Sequence, residues 1–391
     1  MGLVRLAVLA CAWQPALASL NVYVKQALHL PPSGFHDVPT SHFQFAYSGG
    51  RPFIKMGKMH ELEDRGVMTR LALLLASRRY TGPEFFFGFD ADDRPYSQPT
   101  QPRLSYSRAA GASSPLLVPD HDVWGWTTYW VPPTDAFAAE AAFAPAWAER
   151  RDSVHWSGVN RTKERALLAR CALRTPGFDV HTFIWDGRML AAAGAPTCML
   201  TDLDMMRITC RRDKPPVLDD RRLLQHRYLV YLPGIGWSSL MKRLLMSGAV
   251  ILAPRQPAAE SLATLWAAER GLTVSFDAED PCTSISRSLA HLNATRAAAR
   301  AAHFAAAARV HFGRAASERY LRLLFRALAT RQSGVPPPDA LLALGYQELT
   351  CEWVQRDATR RLRDIMAWQL GAWYDNVTCL PRPLAPRSGP L

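Results

Sequence analysis

The sequence has little of what a membrane protein needs. After residue 18, charged residues or prolines interrupt every apolar run within about a dozen residues, whereas a helix that spans a bilayer needs about 20 apolar residues. Helical membrane spans are therefore not predicted anywhere after residue 18.

The N-terminus has a different pattern. Arg5 precedes an apolar stretch that ends in Ala-Leu-Ala at Ala18, as in a secretory signal peptide. We predict a signal peptide over residues 1–18; an uncleaved anchor is the alternative, although the stretch is short and contains Pro15. The mature chain is then expected in the lumen of the ER or Golgi, or secreted, and its Ser-Gly-Pro-Leu ending is not a retention signal.

The chain also lacks a run of Lys and Arg with aromatic residues between them. Its formal net charge is +12, from 46 Lys and Arg against 34 Asp and Glu, but the basic residues are dispersed. Nucleic-acid binding normally requires a clustered basic patch, so no nucleic-acid partner is predicted. A small, negatively charged donor or a solvated surface accounts for the sign of the charge.

No two of the 7 cysteines have the spacing of a zinc-binding pair, which argues against a structural zinc site. An even number remains once Cys11 leaves with the signal peptide, and an oxidising compartment permits disulfides, with fifteen possible connectivities. Cys351 and Cys379 are placed to clip the C-terminal tail. Three sequons predict N-glycosylation, at Asn160, Asn293 and Asn376.

Strand-like and helix-like segments alternate along most of the chain, a pattern typical of α/β folds with parallel sheets. The predicted strands include residues 177–184, 249–253 and 272–276. A loop-rich junction near Arg151 separates two such regions. We therefore predict an N-terminal α/β domain over residues 19–151 and a Rossmann-like domain over residues 152–331. A linker, a helical extension and a disordered tail are predicted over residues 332–391.

Neither of the common phosphate-binding patterns, GxxxxGK[ST] and GxGxxG, is present. Residues 227–248 nevertheless predict a strand, a turn at Gly234 and Gly236, and a helix. Backbone N–H groups at a helix start attract anions, and Ser238 or Ser239 can cap the helix while donating to a phosphate oxygen. The alternative is an ordinary strand-to-helix turn that binds nothing.

Carboxylates follow a buried apolar strand at Asp90, Asp92 and Asp93, and open α/β sheets place their chemistry at this carboxyl edge. A second acidic pair, Asp202 and Asp204, has the Asp-x-Asp spacing that can hold a divalent cation. Because two acids so close together are frequent by chance, we predict no metal site. Activity that a chelator abolishes and Mn²⁺ restores would favour the second pair.

The order of these segments resembles the family 90 glycosyltransferases, which include protein O-glucosyltransferases and O-xylosyltransferases. The similarity runs from about Pro83 to Arg331. The matching segments are the acidic strand end at 85–95, the aromatic loop at 124–130, Trp156-Ser-Gly158 with Glu164-Arg165, the strand at 227–229, the turn and helix at 234–245, the strand at 247–251, Glu260, and the final helix at 290–329. The resemblance implies a GT-B fold of two Rossmann-type domains across a cleft, a UDP-sugar donor, no metal or other cofactor, and inversion at the anomeric carbon.

The resemblance also implies residue roles. Asp93 matches the catalytic Asp that takes the proton of the acceptor hydroxyl. A neighbouring like charge disfavours ionisation, so Asp92 is expected to raise the pKa of Asp93. The alternative is an ordinary surface turn. Arg165 matches a diphosphate-binding Arg, whose planar fork suits phosphate; its alternative is a surface ion pair with Glu164.

Further residues are assigned to the donor and the acceptor by the same resemblance. Gly158 permits the nucleotide to approach the backbone closely. Glu260, expected inside a helix, accepts from ribose hydroxyls or lies on a solvated helix face. The remaining donor residues are Gly234, Ser238, Ser239 and Lys242. Trp126 and Trp130 are predicted to stack on a sugar or acceptor, or else to pack in the interior.

Two positions depart from the family pattern. Ser157 and Leu240 stand where the family has Arg residues that face the diphosphate. Lys242, Arg243 or Arg161 is a candidate replacement, although Lys lacks the rigid fork of Arg. The sequence therefore predicts transfer of a sugar, with glucose or xylose expected, to a protein or glycan hydroxyl. The alternative is a catalytically impaired carbohydrate-binding or scaffold protein that keeps the fold.

Overall fold

The structure is a computed structural model, and it divides into two compact units. The first contains Met1–Trp126 and Val310–Leu384, and the second contains Thr127–Arg309 and Ala385–Leu391. The described residues are 33–35, 42–57, 63–90, 103–112, 116–125, 133–159, 162–184, 197–202, 207–211, 220–234, 238–255, 259–362, 374–375 and 378–382. The predicted signal peptide lies outside them.

The first unit begins with strands on either side of one helix. These are β1 (Ser33–Gly34), β2 (Phe43–Ser48), β3 (Arg51–Met56), helix α1 (Glu63–Ser77), β4 (Phe85–Asp90), β5 (Arg103–Ser105), β6 (Arg108–Ala109) and β7 (Leu116–Leu117). Strand β2 pairs antiparallel with β3 and β4, whereas β4, β5 and β7 run parallel. Gly49 and Gly50 have positive φ angles of 55° and 76°, as a two-residue hairpin turn between β2 and β3 requires.

The second unit alternates strands and helices, as the sequence predicts. Its elements are α2 (Thr134–Ala141), β8 (Arg151–Val159), α3 (Lys163–Ala172), β9 (Phe178–Ile184), β10 (Thr197–Asp202), β11 (Arg207–Arg211), α4 (Asp220–Gln225), β12 (His226–Val230), α5 (Met241–Ser247), β13 (Val250–Pro254), β14 (Ala259–Glu260), α6 (Leu262–Glu269), β15 (Thr273–Phe276), α7 (Pro281–Ala290) and α8 (Ala294–His311).

One sheet organises this unit, in the strand order β11-β10-β9-β8-β12-β13-β15. Strands β9, β8, β12, β13 and β15 are parallel, and the antiparallel β10 and β11 extend one edge. Alternate side chains of the central strands, among them Val154 and Trp156 of β8, pack in one core with Leu168 of α3 and Ile285 of α7. Helices α3 and α7 therefore cover one face of the sheet.

The chain then returns to the first unit. It forms α9 (Arg314–Ala329), β16 (Gln332–Ser333), α10 (Pro338–Ala343), β17 (Gln347–Glu348) and α11 (Cys351–Leu362). Phe325 of α9 stacks on Phe85 of β4 with ring centres 4.5 Å apart, and the Tyr320 hydroxyl donates to the Leu117 carbonyl at 2.8 Å. Because α9 buries its apolar face on β4, this helix belongs with the first unit, whereas the sequence placed it in a domain over 152–331. The boundary predicted near Arg151 likewise lies at Trp126 in the structure.

Two disulfides are present in the described part of the chain. Cys171 of α3 bonds to Cys282 of α7, and Cys351 at the start of α11 bonds to Cys379. The first links the two helices that cover one face of the second sheet. The second confirms that a cystine clips the C-terminal tail.

The predicted α/β, GT-B-like class is confirmed at the level of the units themselves, because each contains a sheet with parallel strands and packed helices. The predicted helical extension corresponds to α10 and α11. Among the residues that the structure describes, none of the helices is long and apolar enough to cross a membrane.

Candidate functional site

A crevice at one edge of the second sheet follows from its topology. Strands β8 and β12 are parallel neighbours. The chain leaves β8 through α3 to reach β9 on one side, and leaves β12 through α5 to reach β13 on the other. At such a switch point the two connections diverge beyond the carboxyl ends of the strands, and open α/β sheets bind their ligands there. The described residues 156–159, 162–165, 230–234 and 238–242 border this crevice.

Arg165 joins the two sides of the crevice. Helix α3 begins after Thr162, whose side chain accepts from the Arg165 backbone N–H at 3.4 Å. The Arg165 Nη2 donates to the Leu232 carbonyl at 3.0 Å, and the Cζ lies 5.7 Å from the centre of a Trp156 ring. The guanidinium is thereby held in the first turn of α3 beside the segment that follows β12, which is the position that an anion at the crevice would face.

Packing within β8 explains why a glycine occupies position 158. A Cβ at this position would lie 2.8 Å from Cζ2 of Trp156, closer than side-chain carbons normally approach. Trp156 is only 2% exposed and belongs to the core. The absence of a side chain at Gly158 is therefore explained by its own strand, and its predicted role in admitting a nucleotide remains a prediction.

The turn after β12 differs in detail from the predicted phosphate cradle. Gly234 follows the strand, Gly236 lies outside the described residues, and α5 begins at Met241. Leu240, already helical with φ −66° and ψ −28°, occupies the N-cap position, so neither serine caps the helix. Instead Ser238 Oγ accepts from the Leu240 backbone N–H at 3.4 Å, inside the turn.

The basic residues of α5 are buried against protein groups. Lys242 is 1% exposed, and its Nζ donates to the Ser239 carbonyl at 3.0 Å. Arg243 is 2% exposed, with its Cζ 5.5 Å from the centre of the Phe137 ring in α2. Lys242 thus braces the turn itself, and Arg243 faces α2.

Glu260 was expected inside a helix, and this expectation is wrong. It lies in the short strand β14, and Ser261 is the N-cap of α6. Ser261 Oγ accepts from the Thr264 N–H at 3.3 Å, while Thr264 Oγ1 accepts from the Ser261 N–H at 2.7 Å. The helix starts after Glu260 because Ser261 and Thr264 form this reciprocal cap. It is a capping box in which Thr takes the place of the usual Glu.

Several predicted residues lie outside the described part of the chain, namely Asp92, Asp93, Trp126, Trp130, Asn160, Arg161, Asp204 and Asn376. Asp90, at the end of β4, is described and 2% exposed; it pairs with Arg103 at 3.1 Å. This ion pair engages Asp90, and the base role expected of Asp93 remains a prediction. Asn293 is exposed, as a glycosylation site requires, and its Oδ1 accepts from the Arg296 N–H at the start of α8.

A polar cluster that the sequence analysis missed crosses the second sheet. His155 of β8, Asp179 of β9 and His226 of β12 come from three adjacent strands. A hydrogen bond from His155 holds the pKa of the Asp179 carboxyl below its usual range, and burial lowers the pKa of His226 to about 4. Only the strand register brings these residues together, so their spacing in the sequence gives no signal.

Most of the chain matches a known protein family. Residues 36–333 match the model of a family described as Glycosyl transferase family 90. Among solved structures, the chain is similar to one described as "Crystal Structure Analysis of the Glycotransferase of kitacinnamycin", with 17% identity and a TM-score of 0.28. That alignment covers 46% of this chain and 43% of that one, so this chain spans less than half of its length. No curated protein matches this chain in a sequence comparison.

Proposed function

Because the chain belongs to glycosyltransferase family 90, as its motifs predicted, we propose that it transfers a sugar from a UDP-sugar to an acceptor hydroxyl with inversion. Glycosyl transfer is the activity of the family. The UDP donor, glucose or xylose as the sugar, and a protein or glycan as the acceptor are the finer parts of the proposal.

The observation that carries the proposal is the crevice between the carboxyl ends of β8 and β12, with Arg165 held at its rim. A leaving diphosphate gains negative charge as the sugar bond breaks, so a fixed cation and backbone N–H groups at a helix start stabilise the transition state. Helix α3 supplies those N–H groups, and Arg165 in its first turn supplies the cation. Gly234, after β12, and Ser238 and Ser239, before α5, form the opposite wall.

Inversion in a single displacement requires a base for the acceptor hydroxyl. We assign this role to Asp93. Asp90 is engaged with Arg103, and a carboxylate held by a guanidinium is a poor proton acceptor because the ion pair stabilises its charged form. The leaving group is stabilised by protein groups in this scheme, so transfer proceeds without a divalent cation.

The proposed compartment is the lumen of the secretory pathway. Disulfides persist in oxidising compartments and are rare in the cytosol. Cys171–Cys282 and Cys351–Cys379 therefore support the same location as the predicted signal peptide.

The proposal is tested by measuring UDP release from UDP-glucose, UDP-xylose and UDP-galactose. The wild-type protein should hydrolyse one of these donors above the rest, with no increase in initial rate on addition of Mn²⁺. Asp93→Asn should abolish turnover and keep UDP affinity, because the carboxylate acts on the acceptor side. The matched control is Asp339→Asn, which changes an exposed acid in α10. Full turnover in Asp93→Asn would reject the base assignment.

A specific observation supports the alternative of a carbohydrate-binding or scaffold protein without turnover. Lys242 and Arg243, two candidates to replace the cations absent at Ser157 and Leu240, are buried against the Ser239 carbonyl and Phe137. Calorimetric titration separates the alternatives. UDP binding without release of UDP from any donor would favour the non-catalytic protein that keeps the donor site, and absence of UDP binding would favour a scaffold.

A further inference from the structure

The cluster of His155, Asp179 and His226 lies apart from the crevice. His155 is four residues before the end of β8, and His226 is the first residue of β12, so the cluster is about 13 Å of strand away from the carboxyl edge. His155 alternates with Val154 and Trp156, which face the core under α3 and α7. It therefore points to the other face of the sheet.

Two histidine side chains converge on one carboxylate oxygen, Oδ2 of Asp179. His155 Nδ1 lies 2.9 Å from Asp179 Oδ2, and His226 Nε2 lies 3.2 Å from the same atom. In a tetrahedral zinc site with bonds of about 2.0–2.1 Å, neighbouring ligand atoms are about 3.3–3.4 Å apart. Movements of about half an ångström or less would bring both nitrogen–oxygen distances to that spacing.

Both histidines are buried, and the buried His226 Nε2 atom lacks a hydrogen bond among the described residues. His155 and His226 are 1% and 0% exposed. Among the described residues, His226 Nε2 has no hydrogen-bond partner, although it lies 3.2 Å from Asp179 Oδ2. A buried polar atom without a partner is costly, and a cation between this nitrogen and the carboxylate would remove the cost.

Neighbouring groups orient two of the three side chains, His226 and Asp179, as they do around metal ions. The other nitrogen of His226, Nδ1, lies 2.9 Å from Ser153 Oγ. His181 Nε2 lies 2.8 Å from Asp179 Oδ1, the oxygen turned away from the two buried histidines. Metal-binding histidines usually hold their second nitrogen in such a bond, and metal-binding carboxylates are themselves hydrogen-bonded.

We propose that His155, Asp179 and His226 form a binding site for a divalent transition-metal ion, with Zn²⁺ as its expected occupant. Two imidazole nitrogens and one carboxylate oxygen match the ligand preference of zinc, whereas calcium and magnesium take oxygen ligands. Asp179 keeps 32% of its side chain exposed, which gives the ion an entry path and leaves the fourth position to water. The proposal is independent of glycosyl transfer.

Entry of the ion requires one local adjustment. The rings of His155 and His226 are stacked, with centres 4.4 Å apart and planes 18° apart. Each ring coordinates in its own plane, so the two rings must rotate apart about their Cβ–Cγ bonds, a torsion with broad minima. The ion replaces the proton between His155 and Asp179, and the released proton passes to solvent.

The consequence is structural. An ion at this site would cross-link β9, β8 and β12, and the last two of these strands carry the crevice. Since the ion binds the folded chain, its binding free energy adds to the stability of the second unit.

The test uses the full chain, stripped of metal with EDTA and then dialysed. We expect it to take up one equivalent of Zn²⁺ in competition with a chromophoric chelator and to melt at a higher temperature when loaded. Co²⁺ should give the visible absorption of a nitrogen- and oxygen-bound ion. Asp179→Asn should weaken Zn²⁺ binding by about 100-fold or more, since loss of an outer partner alone costs about 10–100-fold. Ser153→Ala should weaken it by about 10-fold.

His303→Ala, which removes an exposed imidazole from α8, is the matched control and should bind as the wild type does. Circular dichroism without metal checks that each variant folds. If Asp179→Asn does not fold, Ser153→Ala still tests the site. Absence of stoichiometric Zn²⁺ and Co²⁺ binding by the wild type would overturn the proposal. Unchanged affinity in both Asp179→Asn and Ser153→Ala would also overturn it, because the ion would then occupy another place.

Discussion

Substitution of Gly158 by Ala separates a packing role from a donor-binding role at this position. The new Cβ would meet Trp156 Cζ2 at 2.8 Å, about 0.6 Å inside ordinary contact. Trp156 is almost fully buried and β8 is hydrogen-bonded on both sides, so neither group can retreat freely. Overpacking of this kind costs about 1–3 kcal/mol, and the higher strand propensity of Ala offsets about 0.5–1 kcal/mol.

The expected net loss for Gly158→Ala is therefore about 1–2 kcal/mol. For a unit of this size that lowers the melting temperature by roughly 2–8 °C. Trp156→Phe removes the atom that clashes, so the two substitutions should be less than additive in the double variant. Ser157→Ala, one residue away, is the control and should leave stability nearly unchanged.

The same variants test the nucleotide. If packing alone requires the glycine, Trp156→Phe/Gly158→Ala should bind UDP as Trp156→Phe does. If the nucleotide also approaches the backbone here, UDP affinity should stay low even where stability returns. Additive losses of stability, or a fully stable Gly158→Ala, would refute the packing argument.

The remaining predictions concern disulfides, glycosylation and a helix start. Loss of Cys171–Cys282, with a sequence separation of 111, should destabilise the fold more than loss of Cys351–Cys379, with a separation of 28. Loop entropy predicts losses of about 4.8 and about 3.6 kcal/mol in the free energy of unfolding, which urea unfolding of the Cys→Ala pairs would measure. The reverse order would count against the entropic argument. Asn293→Gln should remove one glycan from protein secreted by eukaryotic cells, and an unchanged mass would exclude this site. Ser261→Ala should cost about 1 kcal/mol by loss of the cap, whereas Ser288→Ala, in the last turns of α7, should cost less on thermal melting.

The sequence predicted three strands of the second unit closely. The predicted segments 177–184, 249–253 and 272–276 correspond to β9, β13 and β15. These are short apolar runs between turn residues, and local sequence suffices to define them. The family resemblance was also confirmed, because it rested on the order of many short motifs.

Other features depended on contacts that local sequence does not encode. A final helix was predicted over residues 290–329, but the packing of α9 on β4 depends on how the chain returns after the second unit. Helix α6 starts at Leu262 because Thr264 completes a capping box with Ser261, a position where Glu is usual. Glu260 therefore lies in β14 and not in the predicted helix. The His155 cluster combines residues from three strands, and only the strand order β9-β8-β12 shows it.

The most direct test of the account is a calorimetric titration of UDP into the wild type, Arg165→Ala and Arg170→Ala. Arg170 is an exposed residue near the end of the same helix, so its variant removes an equal charge away from the crevice. We expect one UDP per chain for the wild type and Arg170→Ala. Arg165→Ala should bind about 10–100-fold more weakly, as loss of a charged hydrogen bond predicts. Equal UDP affinity in all three proteins would contradict a donor site at the crevice between β8 and β12.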